Sequence, residues 1–500
     1  MKKPLSIISI VFLAIIISCN PQENGENSSG LFTPESQGIS SKAIISFIEA
    51  AEAERPDDMH SIIIMRHGKK ITEGYWTPYN AESNHMLFSL SKSFTSTAIG
   101  IAQDEGLLSI YDPVISFFPE SLPDSISPNL RGMRIKDLLR MSTGHDQDAT
   151  GRLRGEGTSW VEAFLSLDVE HKPGTHFVYN SAATYMLSAI IQKVTGETLQ
   201  QYLTPRLFEP LGITNPTWDV DPDGINVGGW GLNVRTRDIA SLGQLYLQKG
   251  LWKGERLISE AWVEEATSLQ TSNGSSPNSD WDQGYGYQFW QCRHGMYRGD
   301  GAFGQYCIVM PEQDVVVAIT SGTNDMQAIM NLVWDHLLPA FQEDALPADE
   351  ESYNSLVNKL AELTMSTMEG ENTSSIAETI SGKKYELEEN ALGIKSMILE
   401  LSESDQSITF ESMDEATTVP VGFGSTESGE MLFPQYGKQP VETTGAWVSN
   451  NIYKIRMYYY ETPFNINIDF IFSEDVVTAD IAMNVSFGSQ GMPQLKGKAK

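Results

Sequence analysis

From residue 373 to the C-terminus, apolar and polar side chains alternate with a period of two in segment after segment. Met397, Leu399 and Leu401 do so, then Ile408 and Phe410, then Tyr453, Ile455, Met457 and Tyr459, then Ile466, Ile468, Phe470 and Phe472. This pattern restricts the stretch to a half-buried antiparallel sheet, so residues 373–500 are expected to form a small all-β domain. Upstream the texture is mixed. Ser61–Met65 is a short aliphatic run suited to a buried strand. Leu90, Phe94, Ala98 and Ile101 recur at helical spacing before a stop at Gly106, and Ala182–Val194 is an apolar helix candidate closed by Gly196. Ile239, Leu242 and Tyr246 suggest a third helix, and Tyr285–Trp290, Tyr306–Met310 and Val315–Thr320 suggest strands. Strands near both ends with helices between them predict an α+β unit over residues 33–342, with helices packed on an antiparallel sheet.

The segment between these units, residues 343–372, is rich in acids (Glu343, Asp344, Asp349, Glu350, Glu351 among them) and is expected to be a solvated linker with a short helix. At the other end, Lys2 and Lys3 precede an apolar run from Leu5 to Ile17, of signal-peptide length and too short to span a bilayer comfortably. The run ends Ile16-Ile17-Ser18-Cys19, which resembles the lipobox of bacterial lipoproteins. That resemblance implies a signal peptide over residues 1–18, lipidation at Cys19 and a flexible tether over 19–32, whose Asn, Gln, Glu, Ser and Gly leave almost nothing apolar. The chain is then expected to be exported and lipid-anchored in a bacterial cell envelope; a plain signal peptide with an incidental cysteine is the alternative.

The formal net charge of −31 repels phosphate backbones and argues against nucleic-acid partners. The three cysteines, Cys19, Cys292 and Cys307, form no C-x-x-C pair. The eight histidines offer no H-E-x-x-H, so no metal or other cofactor is expected. Outside the cytoplasm Cys292 and Cys307, on neighbouring strand candidates, are equally compatible with a cross-strand disulfide and with two buried thiols.

Chemistry enters at Ser89-Leu90-Ser91-Lys92. A serine hydroxyl needs a base beside it, and a lysine three residues on lies on the same helical face. Desolvation near a helix N-terminus helps that lysine to shed its proton. Alone the pattern is weak, because serine is also a favoured helix cap and Ser381-Gly382-Lys383-Lys384 repeats it in the β region. Further along, Tyr179 follows Pro173-Gly174 and precedes an apolar helix. Such a phenol can relay protons, although buried tyrosines are more often packing residues.

Several motifs then fall in a fixed order. After the Ser89–Lys92 turn come Glu105-Gly106-Leu107-Leu108 and Tyr111-Asp112-Pro113-Val114. These are followed by Ile135 through Gly144, by Pro173-Gly174 with Tyr179, and by Glu209-Pro210-Leu211-Gly212. In this order the sequence resembles the serine beta-lactamase and D-alanyl-D-alanine carboxypeptidase superfamily, in its class C-like esterase and amidase branch. The resemblance runs over roughly residues 33–340 and does not reach the C-terminal domain. It implies a beta-lactamase/transpeptidase-like fold and an acyl-enzyme at Ser89. Lys92 would activate the serine and orient the tyrosine, and Tyr179 would act as general acid/base. The backbone N–H groups of Ser89 and Ala302 would form an oxyanion hole.

Two departures bear on the substrate. Ser181 stands where the family often has asparagine, and it lacks the amide's paired donor and acceptor. Gly299-Asp300-Gly301 stands at the family's Lys-Thr-Gly, so Gly301 survives while Asp300 sits beside a missing cation, for which Arg298 or His294 are candidates. Ser181, Asp300, Gly301 and Ala302 are the expected substrate-binding positions. The expected partner is a small ester, amide or short peptide, with inefficient action on β-lactams. A catalytically silent penicillin-binding-like scaffold is the alternative. No G-x-S-x-G elbow supports a Ser-His-Asp hydrolase.

Overall fold

A computed structural model describes residues 31–153, 159–413, 415–433 and 436–500. Cys19, the signal peptide and most of the tether lie outside the described residues. Phe32, expected as the end of the tether, is buried, and its N–H donates to the Lys70 carbonyl. An aromatic ring recovers more by burial than a spacer would.

The centre of the first unit is a six-stranded antiparallel sheet. Its strand order is Lys69–Tyr75, Met59–Arg66, Val315–Ser321, Gln305–Met310, Tyr297–Gly301 and Trp290–Gln291. The aliphatic run expected around Ser61–Met65 is the second strand, and it pairs Ile62 with Ile319 and Ile64 with Val317. Its side chains are apolar at consecutive positions because both faces of the sheet are covered. Ile63, Val309, Val316 and Ala318 face one core, and Ile62, Ile64, Val317 and Ile319 face the other. Each fully buried aliphatic side chain contributes roughly 1.5–3 kcal/mol.

The Ser91–Asp104, Ser181–Thr195 and Thr236–Leu247 helices lie on the first face, and the Ser41–Glu54 helix lies on the second. All three expected helices are therefore present. The expected strand Tyr285–Trp290 shrinks to Trp290–Gln291, because Gln288 turns through φ 65° and breaks the extended run.

The acidic segment 343–372 is more than a solvated spacer. Its Glu350–Ala361 helix lays Leu356 against the Ser41–Glu54 helix, and Leu363 and Met365 are buried in the same core. A thin apolar stripe was hidden there among carboxylates that point to water.

Cys292 and Cys307 are both buried free thiols, not a disulfide. The reason is topological: Cys307 belongs to the core on one face of the sheet and Cys292 to the core on the other. Burial pushes their pKa values up to about 12 and about 11 respectively, so neither is a ready nucleophile.

The C-terminal region is one ten-stranded antiparallel sheet. It runs from Ala416–Pro420 through Gln406–Glu411, Ser396–Leu401, Lys384–Leu387, Leu495–Ala499, Val476–Met483, Asn465–Ser473, Ile452–Tyr458 and Gly437–Ser449 to Glu427–Phe433. It curls almost into a barrel. Gly422 N–H donates to the Thr443 carbonyl and Gly445 N–H to the Gly422 carbonyl, which brings the two ends together and leaves little open edge. The sheet docks on the first unit through Met86 N–H to the Glu461 carbonyl at 2.9 Å, an Arg456–Asp57 ion pair at 2.8 Å, and Asn484 Nδ2 donating to the Gly322 carbonyl. Among the described residues no helix is long and apolar enough to cross a membrane.

Candidate active site

Ser89 lies in a single 3₁₀ turn, Phe88–Leu90, that feeds directly into the Ser91–Asp104 helix. It does not cap that helix: the capping position is Leu90, which has no side-chain hydrogen bond to the first turn. Every residue from Ser91 to Ala102 is buried. The helix tolerates this because its hydroxyls are all matched. Ser93 donates to the Gln288 carbonyl, Thr95 to that of Gly228 and Ser96 to that of Tyr287, while Thr97 pairs with the Tyr246 hydroxyl. The turn that carries Ser89 is thus clamped to a helix with no freedom to shift.

Lys92, one turn on, is 1% exposed. Its Nζ donates to Ser89 Oγ at 2.9 Å, to Ser181 Oγ at 3.0 Å and to the Gly229 carbonyl at 2.7 Å. Burial pulls its pKa down to about 7, with Asp148 and Asp300 acting in the opposite direction. Near neutrality much of the amine is uncharged. A neutral amine has two N–H bonds and one lone pair, and the Gly229 carbonyl only accepts. The lone pair is then available to a hydroxyl, and Ser89 Oγ stands in that position.

Tyr179 lies near enough to Ser89 for the serine to pull its phenol pKa down, and its ring lies 4.9 Å from Lys92 Nζ. Trp290 stacks on it, with ring centroids 5.2 Å apart, and Tyr285 meets it edge-on at 6.1 Å. Burial and then Asp300 hold its phenol well above the usual range, so it stays protonated and able to donate. The fold therefore gathers Ser89, Lys92, Tyr179 and Ser181 at one point, although 92 and 181 are far apart in the chain.

The strand Tyr297–Gly301 runs along this turn in close contact. A Cβ on Gly301 would sit 1.9 Å from the Leu87 carbonyl oxygen, and one on Gly299 would sit 2.4 Å from Ser93 Oγ. At Gly301 the Leu87 backbone passes where a side chain would be, and at Gly299 the side chains of Ser93 and Leu90 fill that place. Ala302, half-buried, follows immediately.

Neither candidate cation takes up the vacant charge. His294 is exposed and faces Trp334, 5.4 Å away between ring centroids. Arg298 is 0% exposed and its charge is taken by Asp300 at 2.9 Å, while its Nη1 donates to the Asp280 carbonyl and its guanidinium lies over Trp281. Burying a charge demands such a partner, so an internal ion pair stands beside the position of the family's lysine.

Three contributors have no signal in the sequence: the Gly229 carbonyl, Trp290 as the stacking partner, and Asp148, whose carboxylate accepts the Ser181 N–H at 3.2 Å. The second Ser-x-x-Lys is dispersed: Ser381 bonds Glu400 and Lys384 pairs with Glu411. One donor set of metal-binding type exists among the described residues, Asp146, His171 and His176, with ligand atoms within 4.8 Å of one another. Two loops bring these residues together, which spacing along the chain does not reveal.

Comparison with known proteins bears on the family and the fold. The chain is 27% identical over 293 residues to a 6-aminohexanoate-dimer hydrolase of Paenarthrobacter ureafaciens, covering 53% of this chain and 73% of that one. It is 27% identical over 171 residues to the protein flp of Staphylococcus aureus, where the match spans 32% of this chain and only 34% of the relative. Among solved structures, EstCE1, a hydrolase with promiscuous acyltransferase activity, superposes with a TM-score of 0.50 at 16% identity, over 59% of this chain and 99% of that one. The first unit thus has the beta-lactamase/transpeptidase-like fold. The beta-lactamase family model matches residues 49–337, more than half of the sequence, and the chain belongs to that family.

Proposed function

We propose that this protein is a serine hydrolase that acts through an acyl-enzyme at Ser89 on esters, amides or short peptides. The observation that carries the reading is the 2.9 Å contact between Ser89 Oγ and a lysine amine with a pKa near 7. Lys92 takes the Ser89 proton as Oγ bonds to the substrate carbonyl carbon. The N–H groups of Ser89 and Ala302 hold the oxyanion. Tyr179, kept protonated, donates to the leaving group as its bond to carbon breaks, and the Lys92 ammonium restores the phenol proton. Water then attacks the acyl carbon by the reverse relay and frees Ser89.

The same site is a poor fit for β-lactams. A β-lactam's carboxylate would not find the Arg298 charge free, since Arg298 is already paired with Asp300. Ser181 is engaged by Lys92 and offers no amide. The relatives named above as hydrolases support the class of reaction and leave the substrate to experiment. Labelling with a fluorophosphonate tests the proposal: wild-type protein gains the adduct mass and Ser89→Ala does not. Labelling that survives the substitution would place the nucleophile elsewhere.

The sequence also supports export and anchoring through Cys19. Expression with Cys19→Ser is expected to move the protein from the membrane fraction to the soluble fraction.

A further inference from the structure

The inside of the C-terminal sheet is continuous with the wall of the active site. Met86, Phe88 and Phe303 from the first unit are part of the same apolar core as the interior of the near-barrel, and Ala302 packs against it. Phe88 directly precedes Ser89, and Phe303 directly follows Ala302. The two residues next to the nucleophile and to the second oxyanion N–H therefore face the β domain.

Two chambers lie inside that domain. One, about 110 Å³, is walled mainly by Ile468, Met457, Ile481, Phe410 and Met431. Its charged lining residue, Glu415, is paired with Lys438 at 3.0 Å. The other, on the side of Phe88 and Phe303, is about 230 Å³ and is walled by Phe433, Phe464, Met483 and Phe487. They share Ile466 and Met492. Phe487 meets Phe303 at 4.8 Å and Phe88 at 5.6 Å between ring centroids. At 78% it is the most exposed large apolar residue among those described, an unusual place for a phenylalanine unless something apolar passes over it. Tyr436 lines both the 230 Å³ chamber and a wider cleft of about 650 Å³, where Asn84, Asp219, Asn233 and Glu461 mix polar groups with Trp160 and Trp230.

We propose that these chambers hold the acyl chain of the substrate, and that the preferred substrates of the site are esters or amides of unbranched aliphatic acids. The inference rests on the hydrolase reading above and names its substrate class. The acyl part stays on Ser89 until water releases it, so it belongs in the apolar interior. The leaving group departs first and suits the wider, polar-lined cleft. Walls that are mostly apolar favour an apolar guest over water.

The test is a series of p-nitrophenyl esters from acetate to decanoate, hydrolysed by the full chain. kcat/KM is expected to climb roughly fourfold per methylene until the chambers are filled. Met492→Trp, which narrows the junction of the chambers, is expected to lower the octanoate-to-acetate ratio at least tenfold, and Ile481→Trp serves as a second plug. Independently of turnover, saturable binding of cis-parinaric acid to Ser89→Ala, displaced by decanoate, is expected. A flat chain-length profile with hydrolysis still dependent on Ser89 would overturn the acyl chamber and leave the hydrolase standing. Absence of turnover with every ester, but with parinarate bound, would sink the hydrolase reading and keep the chamber as a fatty-chain site. Absence of parinarate binding would remove the chamber altogether.

Discussion

Lys92 holds two hydroxyls at once, with Ser89 Oγ 2.9 Å and Ser181 Oγ 3.0 Å from the same nitrogen. The arrangement is useful for catalysis only while that nitrogen has a lone pair. Its pKa of about 7 results from burial. Below pH 7 the ammonium dominates, and the fraction of free amine drops tenfold per pH unit. kcat/KM for a p-nitrophenyl ester should therefore rise with pH along a limb centred near 7 and level off above it. Lys92→Arg keeps a permanent charge, and is expected to lose about 10²–10⁴-fold in rate together with that limb. A full pH–rate profile for both proteins checks this.

Tyr179→Phe keeps the ring stacked on Trp290 and removes only the hydroxyl. The rate should fall by about 10²–10⁴, while the folding stability shifts by about 1 kcal/mol or less. The loss should be larger for an ethyl ester than for a p-nitrophenyl ester, because the nitrophenolate leaves without a proton. Equal losses on the two substrates would remove Tyr179 from leaving-group protonation.

Asp300→Ala leaves the Arg298 guanidinium buried without its carboxylate. Breaking a buried pair on one side costs about 3–5 kcal/mol. The urea midpoint should drop accordingly with the slope of the transition unchanged. A shift under 1 kcal/mol would mean that Arg298 finds another partner.

Gly301→Ala forces a methyl group against the Leu87 carbonyl, two residues before Ser89. Ester hydrolysis should fall at least tenfold with a lowered melting temperature. Gly132→Ala, where the added carbon meets nothing within 4 Å, should change neither.

A chromogenic cephalosporin should be hydrolysed far more slowly than p-nitrophenyl butyrate, since the Arg298 charge is committed to Asp300. Turnover of the cephalosporin near the diffusion limit would contradict this.

The legible parts of this protein are those fixed by near neighbours in the chain. Ser89 and Lys92 meet because three residues make nearly one turn where a helix follows, while the same spacing at Ser381 and Lys384, in the β region, brings no contact. The alternation in Ile466–Phe472 fixed a strand because its side chains divide between two environments. The long strand Gly437–Ser449 escaped notice: its Thr443, Thr444, Gly445 and Ala446 are all buried, which hides the period-two signal. The choice between a disulfide and two thiols at Cys292 and Cys307 stayed open in the sequence because proximity along two strands does not say which face each side chain takes.

Periodicity and short spacing, then, determined the elements, the fold class and the serine–lysine turn, since these depend on local geometry repeated along one chain. Tertiary structure alone decided that a tyrosine far downstream would stack on Trp290 beside Ser89. It also decided that Asp300 would absorb the charge of Arg298, and that the hollow of a C-terminal sheet would open beside Phe88. Each of these depends on which surfaces meet once both faces of a sheet have been covered, and a choice between distant surfaces leaves no periodic trace in a single sequence.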